Sequence, residues 1–491
     1  MTDYSKAIEF SKQIREFILS NITDGEEALQ YVDIVLPYFL LYRFPTIFEK
    51  DNTRNKNITL QIFIWKVREI IQLLRVKKYQ VHPENTSSKD KIFLLGFSSN
   101  QYRDVLKNIE EKLKSEGRFE TISLNADYKF DDNFKSVWGF KYKELDKDNI
   151  ELVRHIEQIK KQVINADIVG YLNNEFQELS REIIAEEVTC LFDFEIKKHI
   201  SQINIAENLL KSLKPKLIIT TDDVDQRCRV YSVLGEKYGI KSMLVQQGLV
   251  SKNYPEWLFT KVDKIACFGR KSAEAITHQG YESTNIVITG NCGFDYINTL
   301  PVGSESISEA LFLFASQPYY VNAFSSQEVR ISMIKDLIDI FSENPHLKLL
   351  VKPHPHESVD LLKKLIRNCP NIKLCEKSQP ISNLINTCDV LITMFSTVGF
   401  EAIYHNKPVI NIIYPNSTYP TIYEEYNATH IVKDKNELER VVYDLSTEHG
   451  IVEYETRNKD SRERFVYDNL FSDDGLSGNR VMKVINSMIS N

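Results

Sequence analysis

Two stretches in the second half of the chain decide the fold, HLKLLVKPHPHE (346–357) and DVLITMFSTVGFEA (389–402). Each opens with an apolar run of strand length, and each run ends in polar residues that lead into a helix-length segment. The same alternation of short apolar runs and longer amphipathic segments extends from residue 91 to residue 413. This alternation predicts parallel βαβ units. We therefore expect an α/β fold whose ligands bind beyond the carboxyl ends of the strands.

A break in the alternation at TLPVGSESISEA (299–310) divides the chain into two Rossmann-like domains with a cleft between them. We place the first domain at 86–300 and the second at 301–470, and a C-terminal helix at 471–491. Residues 1–85 are predicted to form a helical N-terminal extension, because their apolar residues recur at spacings of three and four. The length of 491 residues agrees with this division, at ~100–200 residues per domain.

One segment of the extension, IFIWKVREIIQLLRVKKY (62–79), combines a broad apolar face with five basic residues. Such a helix either lies on an anionic membrane surface or a partner, or packs in the core with a solvated basic edge. The core helix is the more common case, and we favour it here.

Composition and charge exclude several classes of protein. With 42% apolar residues the chain is able to form packed cores, so it is neither disordered nor fibrous. A net charge of −7 argues against a dedicated nucleic-acid binder. The 7 cysteines are scattered without a C-x-x-C pair, which indicates a reducing cytoplasm and neither a disulfide framework nor a zinc site. No uncharged stretch approaches the ~20 residues of a membrane span, so we expect a soluble or peripheral protein.

The loop after HLKLLV carries the first candidate site residues. His354 lies between two prolines, which fix the backbone and force the strand to stop. With Lys352 beside it, an imidazole held at a strand end is suited to binding a phosphate. The alternative is that His354 only caps a turn.

The strand DVLITM leads into the second candidate group. Ser396 and Thr397 are good N-cap residues for the helix that follows, and an anion fits at a helix N-terminus. Glu401, one turn into the helix, is placed to accept hydrogen bonds from a sugar or ribose diol. The alternative is a capping box that serves only the helix.

The first domain supplies a candidate base. After the strand KLIITT come Asp222, Asp223 and Asp225. A carboxylate here, Asp222 or Asp223, is a candidate for deprotonating an acceptor hydroxyl. The spacing of Asp223 and Asp225 also allows a divalent metal or a helix N-cap, and we favour the metal least.

Further residues at strand ends are candidates for binding the acceptor in the cleft. The next strand of the first domain ends at Gln246, Gln247 and Gly248, where neutral amides are suited to sugar hydroxyls and the glycine admits a close ligand. Asn291 closes the first domain, and Gln317 follows the first strand of the second.

The order of these motifs resembles a known superfamily. A Q-x-G strand end, a G-x-x-x-x-D hinge, an ASQP strand end, the KPHP loop and the STVGFEA…NKPVI segment (396–410) are similar to GT-B glycosyltransferases. The nearest group is that of bacterial surface-polysaccharide enzymes, which includes CDP-glycerol glycerophosphotransferases, capsule transferases and polysialyltransferases. The resemblance covers roughly residues 210–480.

The resemblance implies roles for individual residues. His354, Ser396 and Thr397 would bind the donor phosphates, with Glu401 near the ribose or base. The final helix would cross back onto the first domain. Catalysis would need no bound metal, and no cofactor besides a nucleotide-activated donor, with CMP- or CDP-linked donors favoured over UDP.

The same resemblance implies the function. We expect a glycosyltransferase that moves a sugar or polyol phosphate onto a cell-surface polysaccharide or a lipid-linked acceptor. It would work in the cytoplasm, with peripheral contact to the inner face of the membrane, and would not bind nucleic acid.

One departure from the relatives keeps alternatives open. Where they often carry a histidine beside the glycine of the Q-x-G strand end, this chain has Gln247, so the base moves to Asp222 or Asp223 or the chemistry differs. UDP-N-acetylglucosamine 2-epimerases share the architecture, but they carry S-G-G-x-x-E-E where this chain has STVGFEA (396–402), without the second glutamate. A nucleotide-sugar epimerase and a non-catalytic nucleotide- or glycan-binding protein are therefore the alternatives to a transferase.

Overall fold

The structure is a computed structural model. It describes residues 5–43, 67, 70, 71, 74, 76, 78, 89–97, 100–126, 134–140, 145–250, 257–300, 309–317, 327–354, 357–394, 396–414 and 423–490. The predicted linker is described only at its two ends, and most of the predicted helix 62–79 lies outside the described residues.

The chain forms two compact units. The first combines Met1–Gly293 with Gly478–Asn491, and the second is Phe294–Ser477. These limits differ from the sequence-based boundaries after residues 300 and 470. Each unit is built around its own parallel β-sheet, and the prediction of two Rossmann-like α/β domains is confirmed.

The first unit has a seven-stranded sheet in the order β3-β2-β1-β4-β5-β6-β7, with every neighbouring pair parallel. Because the strand order reverses between β1 and β4, the crevice at their carboxyl ends is the expected place for a ligand. The strands are β1 (Asp90–Gly96), β2 (Phe119–Asn125), β3 (Lys135–Ser136), β4 (Leu217–Thr220), β5 (Lys241–Val245), β6 (Lys264–Cys267) and β7 (Ile286–Ile288).

Amphipathic helices cover this sheet. In chain order the helices of the unit before residue 293 are α1 (Ser5–Asn21), α2 (Gly25–Tyr38), α3 (Asn100–Glu116), α4 (Leu145–Asn165), α5 (Ile168–Glu175), α6 (Arg181–Cys190), α7 (Ile200–Leu213), α8 (Gln226–Lys237) and α9 (Arg270–His278). Two short π-helical stretches follow α2 and α6, at Phe39–Arg43 and Leu191–Ile196.

The N-terminal helices α1 and α2 are part of the first unit and not a separate extension. Their apolar side chains, among them Phe10 and Val32, are buried in one cluster with Val188 and Tyr231. Helix α2 is buried on nearly all sides from Tyr31 to Pro37. A helix that is apolar all round must be covered by other elements, so this segment needs the first domain in order to fold.

The C-terminal helix α16 (Ser477–Ser490) also packs in the first unit. Val481 and Ile485 are fully buried beside Leu106 and Ile109 of α3. The Lys241 Nζ atom donates to the main-chain oxygen of Met488 at 3.0 Å. The end of the chain therefore completes the core on one side of the first sheet.

The second unit has a six-stranded sheet in the order β10-β9-β8-β11-β12-β13, again parallel throughout. Its order reverses between β8 and β11. The elements are β8 (Leu311–Ala315), α10 (Gln327–Glu343), β9 (Lys348–Lys352), α11 (Asp360–Ile366), β10 (Ile372–Leu374), α12 (Ile381–Thr387), β11 (Val390–Thr393), α13 (Val398–Tyr404), β12 (Val409–Ile412), β13 (His430–Val432), α14 (Lys435–Asp444) and α15 (Glu448–Leu470).

The described part of the 62–79 segment is divided: Val76 is buried in the core cluster of the first unit, whereas four other apolar residues are exposed. Val67, Ile70, Ile71 and Leu74 are helical, and their exposed fractions are 39%, 59%, 44% and 82%. Spacings of three, one and three place these four residues on one face, which we call the apolar stripe. Of the helices that are described, none is both long and apolar enough to cross a membrane.

Candidate functional site

A pocket lies at the carboxyl ends of β4 and β5 in the first unit. It has an empty volume of about 440 Å³, open to solvent, and both carboxylates predicted as the base lie in its wall. The position is the one that the reversal of strand order predicts. The lining residues are Thr221, Asp222, Asp223, Val224, Leu244, Gln247, Gly248, Leu249, Trp257 and Thr260.

Asp222 has the properties of a general base. Its Oδ1 atom accepts hydrogen bonds from the main-chain N–H groups of Val224 (2.9 Å) and Asp225 (2.8 Å). Thr220 Oγ1 donates to the main-chain oxygen of Asp222 at 2.7 Å, which fixes the turn. Burial and then the charge of Asp225 raise the pKa of Asp222 to about 6, although the two N–H bonds oppose the rise. A carboxylate with a pKa near 6 is matched to proton transfer near neutral pH.

Asp223 has a different environment, although it is adjacent in sequence. Its Oδ2 accepts from Arg229 Nη1 (3.1 Å) and from the main-chain N–H of Lys261 (2.7 Å), and its Oδ1 accepts from Ser232 Oγ. Burial raises the pKa of the Asp223 carboxyl, and the Arg229 guanidinium opposes that rise. Because its oxygens already hold three donors, Asp223 is a structural anchor. Of the two predicted bases, Asp222 is the one that the geometry favours.

Asp225 serves the helix. Its carboxylate accepts from the main-chain N–H of Arg227 (2.9 Å) and caps the N-terminus of α8, while the Arg227 guanidinium binds the same carboxylate at 2.7 and 2.9 Å. Burial acts to raise the pKa of Asp225, but the bonds from Arg227 lower it overall. The two carboxylates that a metal would need, Asp223 and Asp225, are thus each paired with an arginine, which leaves the N-cap as the favoured alternative.

The glutamines after β5 differ in role. Gln246 is buried, and its Nε2 donates to the main-chain oxygen of Gly248 (2.7 Å) and to Ser272 Oγ (3.0 Å). Its Oε1 accepts from the main-chain N–H of Phe268 at 2.8 Å. These bonds join β5 to the loop after β6, so the prediction that Gln246 binds the acceptor is not supported. Gln247 and Gly248 do line the pocket.

Asn291 does not lie in the wall of this pocket. Its side chain is buried, and Oδ1 accepts from the main-chain N–H of Gly293 at 3.0 Å, which forms a local turn at the end of the first unit. This bond explains the residue as a turn former. The sequence-based assignment of Asn291 to the acceptor therefore has no support from its contacts.

In the second unit the loop that carries His354 is held by Glu357. The main-chain N–H of His354 donates to Glu357 Oε2 at 3.1 Å. Glu357 Oε1 accepts from Ser316 Oγ (2.9 Å) and from the Arg330 guanidinium. The side chains of Glu357 and Arg330 are only 5% and 11% exposed. This buried ion pair fixes the loop, while His354 itself remains partly exposed.

The Lys352 ammonium group is bonded within the protein and is not directed at a phosphate beside His354. It is 6% exposed, and its Nζ donates to the main-chain oxygens of Glu376 (2.9 Å) and Lys377 (2.8 Å). Burial lowers the pKa of Lys352. The prediction that Lys352 binds phosphate is therefore not supported, because two of its three donors hold the loop after β10.

Ser396 and Thr397 follow β11. Strand β8 pairs with β11 on one side and with β9 on the other. The ends of β9, β8 and β11, with His354, Ser316 and Ser396, are therefore neighbours. Ser396 Oγ accepts from the main-chain N–H of Val398 at 3.3 Å. Thr397 precedes α13 and makes no side-chain cap bond.

Glu401 and Gln317 are both largely buried. Glu401 Oε1 accepts from the Tyr296 hydroxyl at 2.6 Å, so one of its oxygens is bound within the second unit. The main-chain oxygen of Gln317 accepts from Arg330 Nε at 2.6 Å. Gln317 thus lies beside the ion pair that holds the His354 loop.

Three residues of this arrangement were missed by the sequence analysis. Glu357, Arg330 and Tyr423 hold the two loops that carry His354 and Ser396. The only sequence signal was an acid three residues after His354, at the distance of a tight turn. Arg330 and Tyr423 are far from the loops in sequence and have no such signal.

A comparison with protein families matches part of the chain. Residues 322–487 match the family described as CDP-Glycerol:Poly(glycerophosphate) glycerophosphotransferase. The match includes the loops of His354 and Ser396. A search of characterised protein sequences found no significant match.

Solved structures identify the fold. A putative UDP-N-acetylglucosamine 2-epimerase from Listeria monocytogenes aligns with a TM-score of 0.51 at 15% identity, over 82% of this chain and 96% of that one. The corresponding enzyme from Neisseria meningitidis, bound to UDP-GlcNAc, has a TM-score of 0.48 at 10% identity, over 82% and 100%. A lipopolysaccharide outer core galactosyltransferase has 0.44 at 13%, over 81% and 99%.

The fold and the family match agree with each other. The predicted GT-B fold is confirmed, as is the resemblance to the superfamily of surface-polysaccharide transferases. The chain has the GT-B fold, and its residues 322–487 match a glycerophosphotransferase family.

Proposed function

We propose that this transferase moves a polyol phosphate, or a sugar, from a cytidine-nucleotide donor to a hydroxyl of a surface polysaccharide such as a capsule, or of its lipid-linked precursor. The observation that carries the proposal is that His354 and Ser396–Thr397 follow β9 and β11, the two strands that flank β8, at the same edge of the sheet and inside the region of the family match. The family description names CDP-glycerol as donor and poly(glycerophosphate) as acceptor.

The second unit supplies the donor site. His354 provides an imidazole on a loop that a buried ion pair holds in place. Ser396 and Thr397 provide hydroxyls and main-chain N–H groups for the phosphate oxygens, and Glu401 offers a carboxylate oxygen to a ribose hydroxyl. These neutral hydrogen-bond donors and the imidazole of His354 stabilise the charge that develops on the leaving nucleotide.

The first unit supplies the acceptor site. In the reaction the acceptor hydroxyl oxygen bonds to the donor phosphorus, or to the anomeric carbon of a sugar donor. Its proton passes to the Asp222 carboxylate, and the bond to the nucleotide breaks, so that CMP or a nucleoside diphosphate leaves. Gln247 and Gly248, in the wall of the same pocket, would bind the hydroxyls of the acceptor.

We also propose that this chemistry proceeds without a bound metal. The support is the pairing of Asp223 with Arg229 and of Asp225 with Arg227, which occupies the carboxylates nearest to Asp222. Charge on the donor would then be neutralised by His354 and by hydrogen bonds.

The proposed location is the cytoplasmic side of the membrane, with peripheral contact. The apolar stripe supports this, because four exposed apolar side chains lie on one helical face in a segment with five basic residues and one acidic residue. Apolar residues beside basic ones are typical of helices that lie on anionic lipid.

The test is a transfer assay with the purified full-length protein, poly(glycerol phosphate) as acceptor and CDP-glycerol, CMP-, UDP- or GDP-linked sugars as donors. We expect a cytidine donor at a hundredfold excess over Kd to raise the unfolding free energy by RT ln(1 + [L]/Kd), about 2.7 kcal/mol, and thereby to raise the unfolding temperature. The variant His354→Ala should lose donor binding and most turnover. The exposed His346 of the same unit gives the matched control His346→Ala, which should behave as wild type.

Other results would replace the proposal. Formation of N-acetylmannosamine from UDP-N-acetylglucosamine alone would make the protein an epimerase. Binding of no nucleotide donor would favour a non-catalytic role. Full activity of His354→Ala would disprove the donor site while leaving the class unchanged.

A further inference from the structure

A buried arginine connects the loop of Asp222 to the N-terminal helices. Arg229, in α8, is 1% exposed. Its Nε donates to the main-chain oxygen of Asp33 in α2 at 2.5 Å. Its Nη1 donates to the main-chain oxygen (3.0 Å) and to Oδ2 (3.1 Å) of Asp223. One guanidinium therefore joins α2 to the residue that follows Asp222.

Further charges complete this buried cluster. Asp33 Oδ2 is 3.3 Å from Arg15 Nη2 and 3.1 Å from Lys261 Nζ, and the Asp33 side chain is 4% exposed. With Asp223 and Arg229, the cluster contains three cations and two carboxylates. Each charge has a neighbour of opposite sign, and the two outer cations, Arg15 and Lys261, are partly exposed to solvent.

Such a cluster is not needed to attach the helices. Helix α2 is already buried among apolar side chains, and buried ion pairs are often no more stabilising than apolar residues of similar size. The cluster instead fixes the positions of its partners, because the planar guanidinium donates hydrogen bonds only in fixed directions. The partner whose position they fix is the Asp223 main chain, next to Asp222.

We propose that Arg229 and Asp33 are positioning residues for Asp222, so that the N-terminal helices contribute to activation of the acceptor. This inference rests on the proposed role of Asp222. Arg229 holds the main-chain oxygen of Asp223, and Thr220 Oγ1 holds the main-chain oxygen of Asp222. The main-chain N–H groups of Val224 and Asp225 orient the Asp222 carboxylate. A base in proton transfer must be held to within ~0.5 Å of its productive position.

Two variants test the proposal in the full-length protein. Asp33→Asn removes the charge that compensates Arg229, Arg15 and Lys261, but keeps the main-chain acceptor of Arg229. Arg229→Lys keeps the charge but not the forked geometry. We expect each variant to lower kcat for transfer at least tenfold with the donor KM within twofold, and to speed hydrogen–deuterium exchange in peptides covering 220–226.

The matched control is Glu27→Gln. Glu27 in α2 and Lys237 in α8 form an ion pair at 3.6 Å between the same two helices, but on the surface. This variant should keep wild-type kcat and wild-type exchange in 220–226. A change equal to that of Asp33→Asn would show that the attachment of the helices, and not the buried cluster, determines activity, and would overturn the proposal.

The remaining outcomes separate this inference from the proposed function. Wild-type kcat and exchange in a folded Asp33→Asn protein would overturn the positioning role, even if Arg229→Lys failed to fold. Absence of transfer by the wild-type protein with every donor would overturn the proposed function instead. The exchange measurement would then still decide whether Asp33 and Arg229 fix the loop.

Discussion

The hydroxyl of Tyr423 donates a hydrogen bond to the main-chain oxygen of Ser396 at 2.6 Å. Tyr423 is 1% exposed, and its ring stacks on Phe465 with centroids 5.9 Å apart and planes at 5°. An immobile aromatic ring in the core of the second unit therefore sets the position of the loop that we assign to the donor phosphates. A change that moves this ring should be detected at the donor site.

Gly399 provides such a change. A Cβ atom added at Gly399 would contact the Tyr423 hydroxyl and lie 2.8 Å from its Cζ. Alanine is favoured over glycine in a helix by about 1 kcal/mol, but overpacking in a core costs about 1–3 kcal/mol. We therefore expect Gly399→Ala to lower the unfolding free energy and to raise the donor KM at least fivefold, measured by thermal unfolding and steady-state kinetics.

The variant Tyr423→Phe is the companion to this test. It keeps the ring and removes only the hydrogen bond to Ser396, so the donor KM should rise while the packing is retained. A wild-type donor KM in both variants would mean that the Ser396 loop does not bind the donor.

Glu357 should be essential for the His354 loop. Glu357→Ala removes the acceptor of the His354 N–H group and leaves the Arg330 guanidinium buried without its carboxylate. Loss of one partner of a buried ion pair costs about 3–5 kcal/mol. We expect a large loss of stability in urea titrations and an increase in donor KM of tenfold or more.

Removal of both charges should cost less than removal of one. In Glu357→Ala/Arg330→Met no buried charge remains unpaired, so part of the stability should return while the donor KM stays high. The surface pair Lys348–Glu309 of the same unit is the control, and Glu309→Gln should change neither quantity. A donor KM that recovers together with stability would contradict a specific role for the loop.

Activity should depend on pH through Asp222, whose pKa is raised to about 6. A base must be ionised, so kcat/KM should fall below pH 6, by about tenfold per pH unit. Asp222→Asn should lower kcat by about 10²–10⁴-fold and abolish this acid limb, whereas the donor Kd should not change. Measurement of kcat/KM from pH 4.5 to 8.5 tests both statements.

The same residue should affect stability in the opposite sense. The folded pKa of about 6 lies above the ordinary aspartate value of 3.8, so the contribution of Asp222 to stability is complete below pH 4 and is lost as the pH rises through 6. The loss is up to about 3 kcal/mol. Asp222→Asn, which keeps an oxygen for the two N–H groups, should therefore unfold at a higher temperature than wild type at pH 8. A lower midpoint at pH 8 would contradict the assigned pKa.

The apolar stripe should determine membrane binding. We expect the wild-type protein to float with vesicles that contain phosphatidylglycerol and to do so poorly with pure phosphatidylcholine, since the basic residues of the segment need anionic lipid. Ile70→Glu/Leu74→Glu should lose most of this binding and keep its unfolding midpoint, because both side chains are exposed.

Val452 in the second unit gives the control for this experiment. It is 53% exposed, so Val452→Glu places an acid on an exposed apolar position outside the stripe and should leave flotation unchanged. Equal flotation of the stripe variant and wild type would exclude the stripe as the membrane contact.

Strands and the residues that follow them were predictable, because a short apolar run between helical segments identifies a buried parallel strand. The ends of β4, β9 and β11, with Asp222, His354 and Ser396, follow from that pattern alone. The direction of each side chain does not follow from that pattern. Lys352 and Asp223 are polar residues at strand ends, as His354 and Asp222 are, yet their side chains bind within the protein.

The difference lies in tertiary partners that sequence spacing does not reveal. Lys352 binds carbonyl groups after another strand, and Asp223 binds an arginine that also contacts a helix about 200 residues earlier in the chain. The exposure of the apolar stripe was not predictable for a related reason, although a helix on a membrane surface was one of the two alternatives. Its pattern is that of any amphipathic helix, and the sequence does not show whether another element covers it.

The return of α16 to the first unit has a consequence for the whole chain. The second unit, Phe294–Ser477, is an insertion within the first, with both of its ends joined to the same host. We therefore expect that it can be exchanged as one continuous piece, by grafting the matching segment of a relative between Gly293 and Gly478. Truncation of the chain before Val481 should instead destabilise the host. It would remove a core helix and leave a cavity in the unit that carries Asp222.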